Sequence, residues 1–277
     1  MGSLFISEVQ SFFLSSIFPA KINLTHIRLI PKIQSPQKMV DYRLIALCTV
    51  FYKIIAKVLS KRLQHVLQEL ISENQSAFVP KRAIIDNVLI THEVLHYLKT
   101  SKAKERCYMA VKTDMSKVYD RIEWEFIRLV MERMGFHPTW VSWIMQCIST
   151  VSYSLNNSVQ GSINRKRGMR QGDPMSLYLF NLCSEALFGL CRKAQEDCSQ
   201  PGIRVALGCS RVNNLFFADD PKFFCISDEK SCHTLLQILQ KYEKASGQVI
   251  NKGKLSITFA AKTLEVDKLK AHQTLGM

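Results

Sequence analysis

Leu215-Phe216-Phe217-Ala218-Asp219-Asp220-Pro221-Lys222-Phe223-Phe224 sets two adjacent carboxylates between two aromatic half-strands. Read alone the pair is ambiguous, because Asp-Asp-Pro is also a plain turn sequence and most such pairs are turns. A second stretch changes the odds. Tyr108-Met109-Ala110-Val111-Lys112-Thr113-Asp114 reads as a buried strand that ends in a third carboxylate. Adjacent strands of one sheet could bring Asp114, Asp219 and Asp220 to a common edge. Clustered carboxylates repel and desolvate poorly unless a cation neutralises them, so the cluster implies a hard divalent metal, Mg²⁺ before all others. Two such ions set ~4 Å apart serve phosphoryl transfer, the chemistry of polymerases and nucleases. Successive strand residues point to opposite faces, so Asp219 is the stronger ligand of the pair and Asp220 contributes more distantly.

Outward from these acids, a helix is expected after Asp114, with Asp120 and Glu123 at capping-box spacing before Trp124 and Gly135 as its stop. Asp120 is thus read as a cap. Residues 151–168 alternate weakly, contain Asn156-Asn157 and Gly161, and suggest a hairpin or extended loop carrying Arg165-Lys166-Arg167. In Arg170-Gln171-Gly172-Asp173-Pro174, Asp173 at the N-cap and Pro174 at the first helical position should start a long apolar helix. A strand near Ile203 to Leu207, a helix from Cys232 to Lys244 and a strand from Val249 to Phe259 complete the pattern. On the N-terminal side lie helices around Ile54–Leu67 and Asp86–Lys99.

Charge separates function classes. The chain has 277 residues with 37 Lys and Arg against 23 Asp and Glu, a net charge of +14, which favours a polyanion such as nucleic acid or an anionic membrane surface, and nucleic acid is the better guess. Residues 21–62 hold nine basic residues and one acid, Asp41, and Lys53, Lys57 and Lys61 step by four along one helix face. Taken alone, a lysine stripe is more often a solvated face. Nine scattered cysteines lack zinc-knuckle spacing and read as reduced thiols of a nuclear or cytoplasmic protein. The apolar patch Phe12–Phe18 is interrupted by serines and lacks a basic leader, so no secretion signal is read there. No apolar run reaches the ~20 residues needed to cross a bilayer, and the Asn23-Leu24-Thr25 sequon is read as chance.

Lys112-Thr113-Asp114-Met115-Ser116-Lys117-Val118-Tyr119-Asp120-Arg121, Arg170-Gln171-Gly172-Asp173-Pro174 and Phe217-Ala218-Asp219-Asp220 resemble reverse-transcriptase motifs A, B and C in order and spacing. Leu29-Ile30-Pro31-Lys32, Tyr52-Lys53-Ile54-Ile55, Ser72-Glu73-Asn74-Gln75-Ser76-Ala77-Phe78 and Ser246-Gly247-Gln248-Val249-Ile250-Asn251 resemble the non-LTR, LINE-like branch of plant genomes. The resemblance covers nearly the whole chain.

It implies an α+β right-hand polymerase with a small antiparallel palm sheet: residues 1–106 mainly fingers, 107–277 mainly palm, and a fingers-proximal loop near 151–170. The implied activity is RNA-directed DNA polymerisation on an RNA template and DNA primer, using deoxynucleoside triphosphates and two Mg²⁺ ions, with Mn²⁺ as substitute. Asp114, Asp219 and Asp220 would be the catalytic metal ligands. Tyr119 would sit under the incoming sugar and reject a 2′-hydroxyl. Gln171 and Gly172 would line the template and nucleotide cleft, where glycine permits close backbone approach. Arg82 would reach the triphosphate, and Lys254 resembles the motif D lysine near the leaving pyrophosphate.

The sequence also departs from the family pattern. Pro221 replaces a small or hydroxyl residue and removes a ladder donor, Lys222 puts a charge where an aliphatic residue is usual, and Leu44, Ala46, Lys81 and Leu177 are further substitutions. A thumb should follow and an endonuclease precede, and the expectation is that both are absent from this stretch, supplied by another chain or lost. The alternative is a catalytically decayed, nucleic-acid-binding remnant of a retrotransposon polymerase.

Overall fold

The computed structural model describes residues 2–18, 22–116, 118–155, 166–206, 208–218 and 220–276. Its elements run α1 (Gly2–Ser15), β1 (Leu24–Pro31), β2 (Tyr42–Cys48), α2 (Val50–Leu70), α3 (Ile84–Thr100), β3 (Tyr108–Lys112), α4 (Val118–Arg121), α5 (Trp124–Arg133), α6 (Pro138–Ser149), β4 (Ser152–Leu155), α7 (Pro174–Glu196), β5 (Asn214–Phe217), β6 (Asp220–Ile226), α8 (Glu229–Ser246), β7 (Ser256–Phe259) and α9 (Glu265–Leu275). They group into two compact units, one of residues 1–66 and 119–182, the other of 67–118 and 183–277.

The first unit carries a three-stranded sheet in the order β2-β1-β4. β1 and β2 pair antiparallel from Thr25 opposite Cys48 to Pro31 opposite Tyr42. The weak alternation after residue 151 gives β4, which pairs in parallel with β1, Leu24 opposite Ser152. The hairpin or extended loop expected there falls largely on residues 156–165, Asn156, Asn157, Gly161 and Arg165 among them, which lie outside the described residues. α2 forms because Tyr52, Ile55, Ala56, Leu59 and Leu63 recur on one buried face. Phe12, Phe18 and Tyr52 chain their rings at 4.4 and 6.0 Å. Gly135, at φ +81°, ends α5 as expected. Asp120 does not cap that helix: it lies within the short α4, and Glu123 takes the N-cap position without a side-chain bond. The capping-box spacing was met, but a separate helical turn intervenes.

The second unit is built on an antiparallel sheet ordered β5-β6-β3-β7, the small antiparallel sheet that the sequence implied. Val111 faces Phe223 on one side and Ile257 on the other. Val94 and Leu98 of α3 pack with Ala110, Leu215, Phe224 and Ala260 in one core cluster. Asp228 caps α8 by accepting from the Ser231 amide at 2.7 Å, and Gly247 closes it at φ +74°. Of the strand expected at 203–207 the described residues show a single rung, Ile203 with Val212, and Leu207 lies outside them. The expected strand from Val249 is confined to β7, because a 3₁₀ turn occupies Lys252–Lys254.

Candidate active site

The acids of the second unit meet at one end of the β3–β6 pair. The Thr113 amide donates to the Pro221 carbonyl at 3.0 Å just past the last paired residues, Lys112 and Lys222. Asp114 and Asp220 are the next residues outward on either side. Asp219 lies outside the described residues. Before it, Ala218 takes φ +58°, and Phe217 stands opposite Asp220. Pro221 does not break the strand. It is the second residue of β6, and because its carbonyl faces β3 its missing donor falls on that same last rung.

Both carboxylates have a lysine at hand. Lys254 Nζ stands 3.0 Å from Asp114 Oδ2, whose side chain is 20% exposed. Asn251 adds a backbone bond to the Asp114 carbonyl at 2.8 Å, and its Nδ2 lies 3.5 Å from the same Oδ2. Lys112 Nζ is 3.8 Å from Asp220 Oδ2. Lys222 faces Lys112 across the strands with its Nζ 4.7 Å from the centre of the Phe217 ring. Burial first, and repulsion from Lys112 second, hold this ammonium below the ordinary lysine pKa, with Asp220 partly offsetting them.

Buried amides hold the end of β5 and Ala218 after it. Gln75 is wholly buried and donates from Nε2 to the Ala218 carbonyl at 3.3 Å, while its Oε1 accepts from the Ala77 amide at 3.0 Å. Asn87 donates to the carbonyls of Phe216 at 2.9 Å and Asn74 at 2.8 Å, and the Phe216 amide returns a 2.9 Å bond to Asn74. Sequence reasoning gave neither Gln75 nor Asn87 nor Asn251 a role. Their only signal was position, since each is an amide inside or beside an apolar run. The Arg82 guanidinium is occupied by carbonyls: Ser72 at 2.6 Å, Gln75 at 2.9 Å, Gln68 at 3.2 Å and Ile71 at 2.7 Å. It closes the C-terminal end of α2, where carbonyls lack helical partners.

Tyr119, Gln171 and Gly172 belong to the first unit. The Tyr119 ring is half-buried, 6.3 Å from Phe180, and its carbonyl accepts from the Met169 amide. The Gln171 carbonyl accepts from Ala46 at 3.0 Å. Gly172 has φ +98°, a conformation only glycine takes without strain. On either side of this dipeptide lies a buried ion pair missed in the sequence. Arg170 Nε stands 3.6 Å from Asp173 Oδ2, both side chains 2% exposed. The guanidinium also donates to Asn23 Oδ1 at 2.7 Å, to Thr25 Oγ1 at 3.1 Å and to the Cys147 carbonyl, and lies 3.7 Å over the Tyr52 ring. Tyr52 donates its hydroxyl to Asp173. As expected, Asp173 caps α7, accepting from Met175 at 3.0 Å. Asn23 is buried with its amide donated to Cys147 and Thr150, so the sequon is spent inside the fold.

Among the described residues no three His, Cys, Asp or Glu side chains form an ion-holding group. The donor set still suits a hard cation, because Asp114 and Asp220 offer carboxylate oxygens at one end of the β3–β6 pair, although each is now paired with a lysine that an ion would have to displace. No described helix is long and apolar enough to cross a membrane. Six of the nine cysteines are buried.

Residues 30–275 match the family model described as reverse transcriptase (RNA-dependent DNA polymerase). The chain is 26% identical over 259 residues to a retrovirus-related Pol polyprotein from the type-1 retrotransposable element R2 of Popillia japonica, covering 91% of this chain and 34% of that protein. It is 27% identical over 224 residues to a transposon TX1 uncharacterized 149 kDa protein of Xenopus laevis, covering 79% of this chain and 17% of that one. The chain thus spans about a third of one of these relatives and about a sixth of the other. Among solved structures, telomerase from Candida albicans with a fragment of telomeric RNA shares the fold at a TM-score of 0.60 and 16% identity, over 95% of this chain and 46% of that one.

Proposed function

Because the chain belongs to the reverse transcriptase family, with Pol polyproteins of R2 retrotransposable elements among its relatives, we propose that it is the RNA-directed DNA polymerase core of such an element. The observation that carries this reading is that Asp114 and Asp220 lie at the same end of the β3–β6 pair, with Asp219 directly before Asp220 in the sequence. The fingers would be drawn mainly from residues 1–106 and the palm mainly from 107–277, a division that cuts across the two compact units. Asp114, Asp219 and Asp220 would hold two Mg²⁺ ions, or Mn²⁺ in their place. When bound, these ions activate the primer 3′-hydroxyl and stabilise the departing pyrophosphate.

The chain's own residues do the rest. Gln75 and Asn87 hold the end of β5 and Ala218 still, so the acids need no reorganisation. Asn251 holds the Asp114 backbone, and Lys254, beside the Asp114 carboxylate, would be placed to meet the departing pyrophosphate. Tyr119 excludes a ribose, and Gln171-Gly172 lines the nucleotide cleft, anchored by the Arg170–Asp173 pair. Arg82 serves by holding the segment it ties together; reaching a triphosphate would require it to give up four carbonyl bonds.

The test is primer extension on an RNA template with deoxynucleotides and Mg²⁺. Extension by the parent that Asp219→Ala abolishes would support the reading. A second reading, a decayed polymerase that keeps its fold, is favoured by Pro221 and by the opposed lysines 112 and 222. Extension recovered only in Pro221→Ser would select it, and silence from both would overturn the polymerase assignment for this chain.

A further inference from the structure

We propose that the solvent-facing side of α2 is a docking surface for a single strand of RNA, its phosphates on Lys53, Lys57 and Lys61 and its bases against Val50 and Ile54. The proposal rests on the reading above only in taking nucleic acid as the partner.

The buried face of α2, Tyr52, Ile55, Ala56, Leu59 and Leu63, fixes the rotation of the helix about its axis. Its other face is thereby fixed too. Lys53, Lys57 and Lys61 are all exposed, and none forms an ion pair among the described residues. No acid occurs in α2 before Glu69. Residues four apart are separated by ~6 Å along a helix and turned by ~40°, so the three ammonium groups form a gently winding row whose bases span ~12 Å. Val50, 69% exposed, falls at an angle between Lys57 and Lys61, and Ile54, 38% exposed, lies ~20° past Lys61 on the same face. His65 extends the same face, exposed as well. Arg62, one step aside, is turned over the Phe13 ring at 5.5 Å.

Three uncompensated cations in a row repel one another and are poorly explained by helix stability, which opposite charges at this spacing would have served better. Phosphates in a stacked strand follow one another every ~3.4 Å along the axis, so a ~6 Å step lies between one and two nucleotides. An unpaired strand can stretch to meet it. It also offers base faces to the aliphatic side chains, which a duplex keeps stacked inside. An anionic membrane would satisfy the charge, but two aliphatic residues give little to insert into it.

The experiment measures binding of a labelled single-stranded RNA across a salt series for the parent, for Lys53→Gln/Lys57→Gln/Lys61→Gln, and for Lys230→Gln/Lys241→Gln/Lys244→Gln. The last removes the same charge from exposed positions on α8. A fourth variant, Val50→Ser/Ile54→Ser, removes the apolar contacts. Each phosphate contact contributes ~0.7 to the slope of log K against log salt for a single strand, so the α2 triple should lower the slope by about 2. The α8 triple should leave the slope at the parent value, and the serine variant should weaken binding without changing it. Equal slope changes from both triples, or none from the α2 triple, would overturn the proposal. So would anionic-vesicle binding that is lost in the α2 triple while RNA binding stays intact. A parent that binds RNA with the expected slope change but extends no primer would leave this surface standing and remove the polymerase reading. A parent that binds no RNA would remove both.

Discussion

Replacing Asp173 with alanine should cost about 4 kcal/mol of unfolding free energy. The change leaves the Arg170 guanidinium, 2% exposed, without its counter-charge, a loss of about 3–5 kcal/mol for a buried pair. It also removes the N-cap of α7, worth about 1 kcal/mol. Against this, Arg170 keeps its bonds to Asn23, Thr25 and the Cys147 carbonyl, which places the total in the lower half of the summed range. Burial holds the Tyr52 phenol well above its ordinary pKa, so it remains a donor at any working pH. Tyr52→Phe therefore removes one hydrogen bond to a charged acceptor, about 1.5–3 kcal/mol, while leaving a ring under the guanidinium. Replacing Arg170 by Met and Asp173 by Leu together should cost at least about 2 kcal/mol less than the sum of the single changes, since no lone charge remains. Urea unfolding followed by far-UV circular dichroism measures all five variants, the two single changes of the double among them. An Asp173→Ala cost below about 1 kcal/mol, or an additive double variant, would refute the reasoning.

Glu185 is held above the usual carboxylate range by burial, opposed by its bonds to Ser72. A raised folded pKa means the folded state binds the extra proton, so this group's contribution is fully present at low pH and is lost as pH rises through the folded value. Glu185→Gln should flatten that part of the profile in melts run from pH 4 to 8, and an unchanged profile would count against it. Gly202→Ala would put a Cβ 2.7 Å from the Val212 backbone at φ +72°, so thermal melts should show a loss of about 2–4 kcal/mol, and a neutral result would show that the rung at Ile203 can shift. Pro221→Ser regains a donor on the last β3–β6 rung but loses proline's restraint on the unfolded chain, so its stability should lie within about 1 kcal/mol of the parent by chemical denaturation; a larger drop would place the proline deeper in the ladder.

The elements that position the acids were legible because their signals are local. An apolar run ending in Asp114, aromatic half-strands on either side of Asp219-Asp220, and Asp-Pro before an apolar helix each carry their own reading, and β3, β5, β6 and α7 lie where those readings put them. What escaped the sequence depends on distant partners. The sequence showed Asp173 only as a helix cap, and its buried pairing with Arg170 depends on Tyr52, Asn23 and Cys147, which close over the two from positions 23 to 147 residues away. Arg82 could be read as a phosphate ligand because nothing local shows four carbonyls waiting at the end of α2. Asp120 misled for the opposite reason: its spacing to Glu123 fits a cap, and only the turn of α4 between them removes it. The pairing of β4 with β1 joins residues over a hundred positions apart, with no pattern in either strand to name the other.

The two units are interleaved along the chain, each made of two segments with a segment of the other between them. A ribosome emitting this protein at ~5–20 residues per second therefore releases β3 well before β6, which must embrace it, and β1 long before β4. Neither core can close while only the first half has emerged. For several seconds of synthesis the nascent chain exposes the apolar edges of half-built sheets, and such long-range pairings are slow to form in any case. The protein should thus depend on chaperone holding during translation, and fragments ending near residue 118 should be recovered as aggregate.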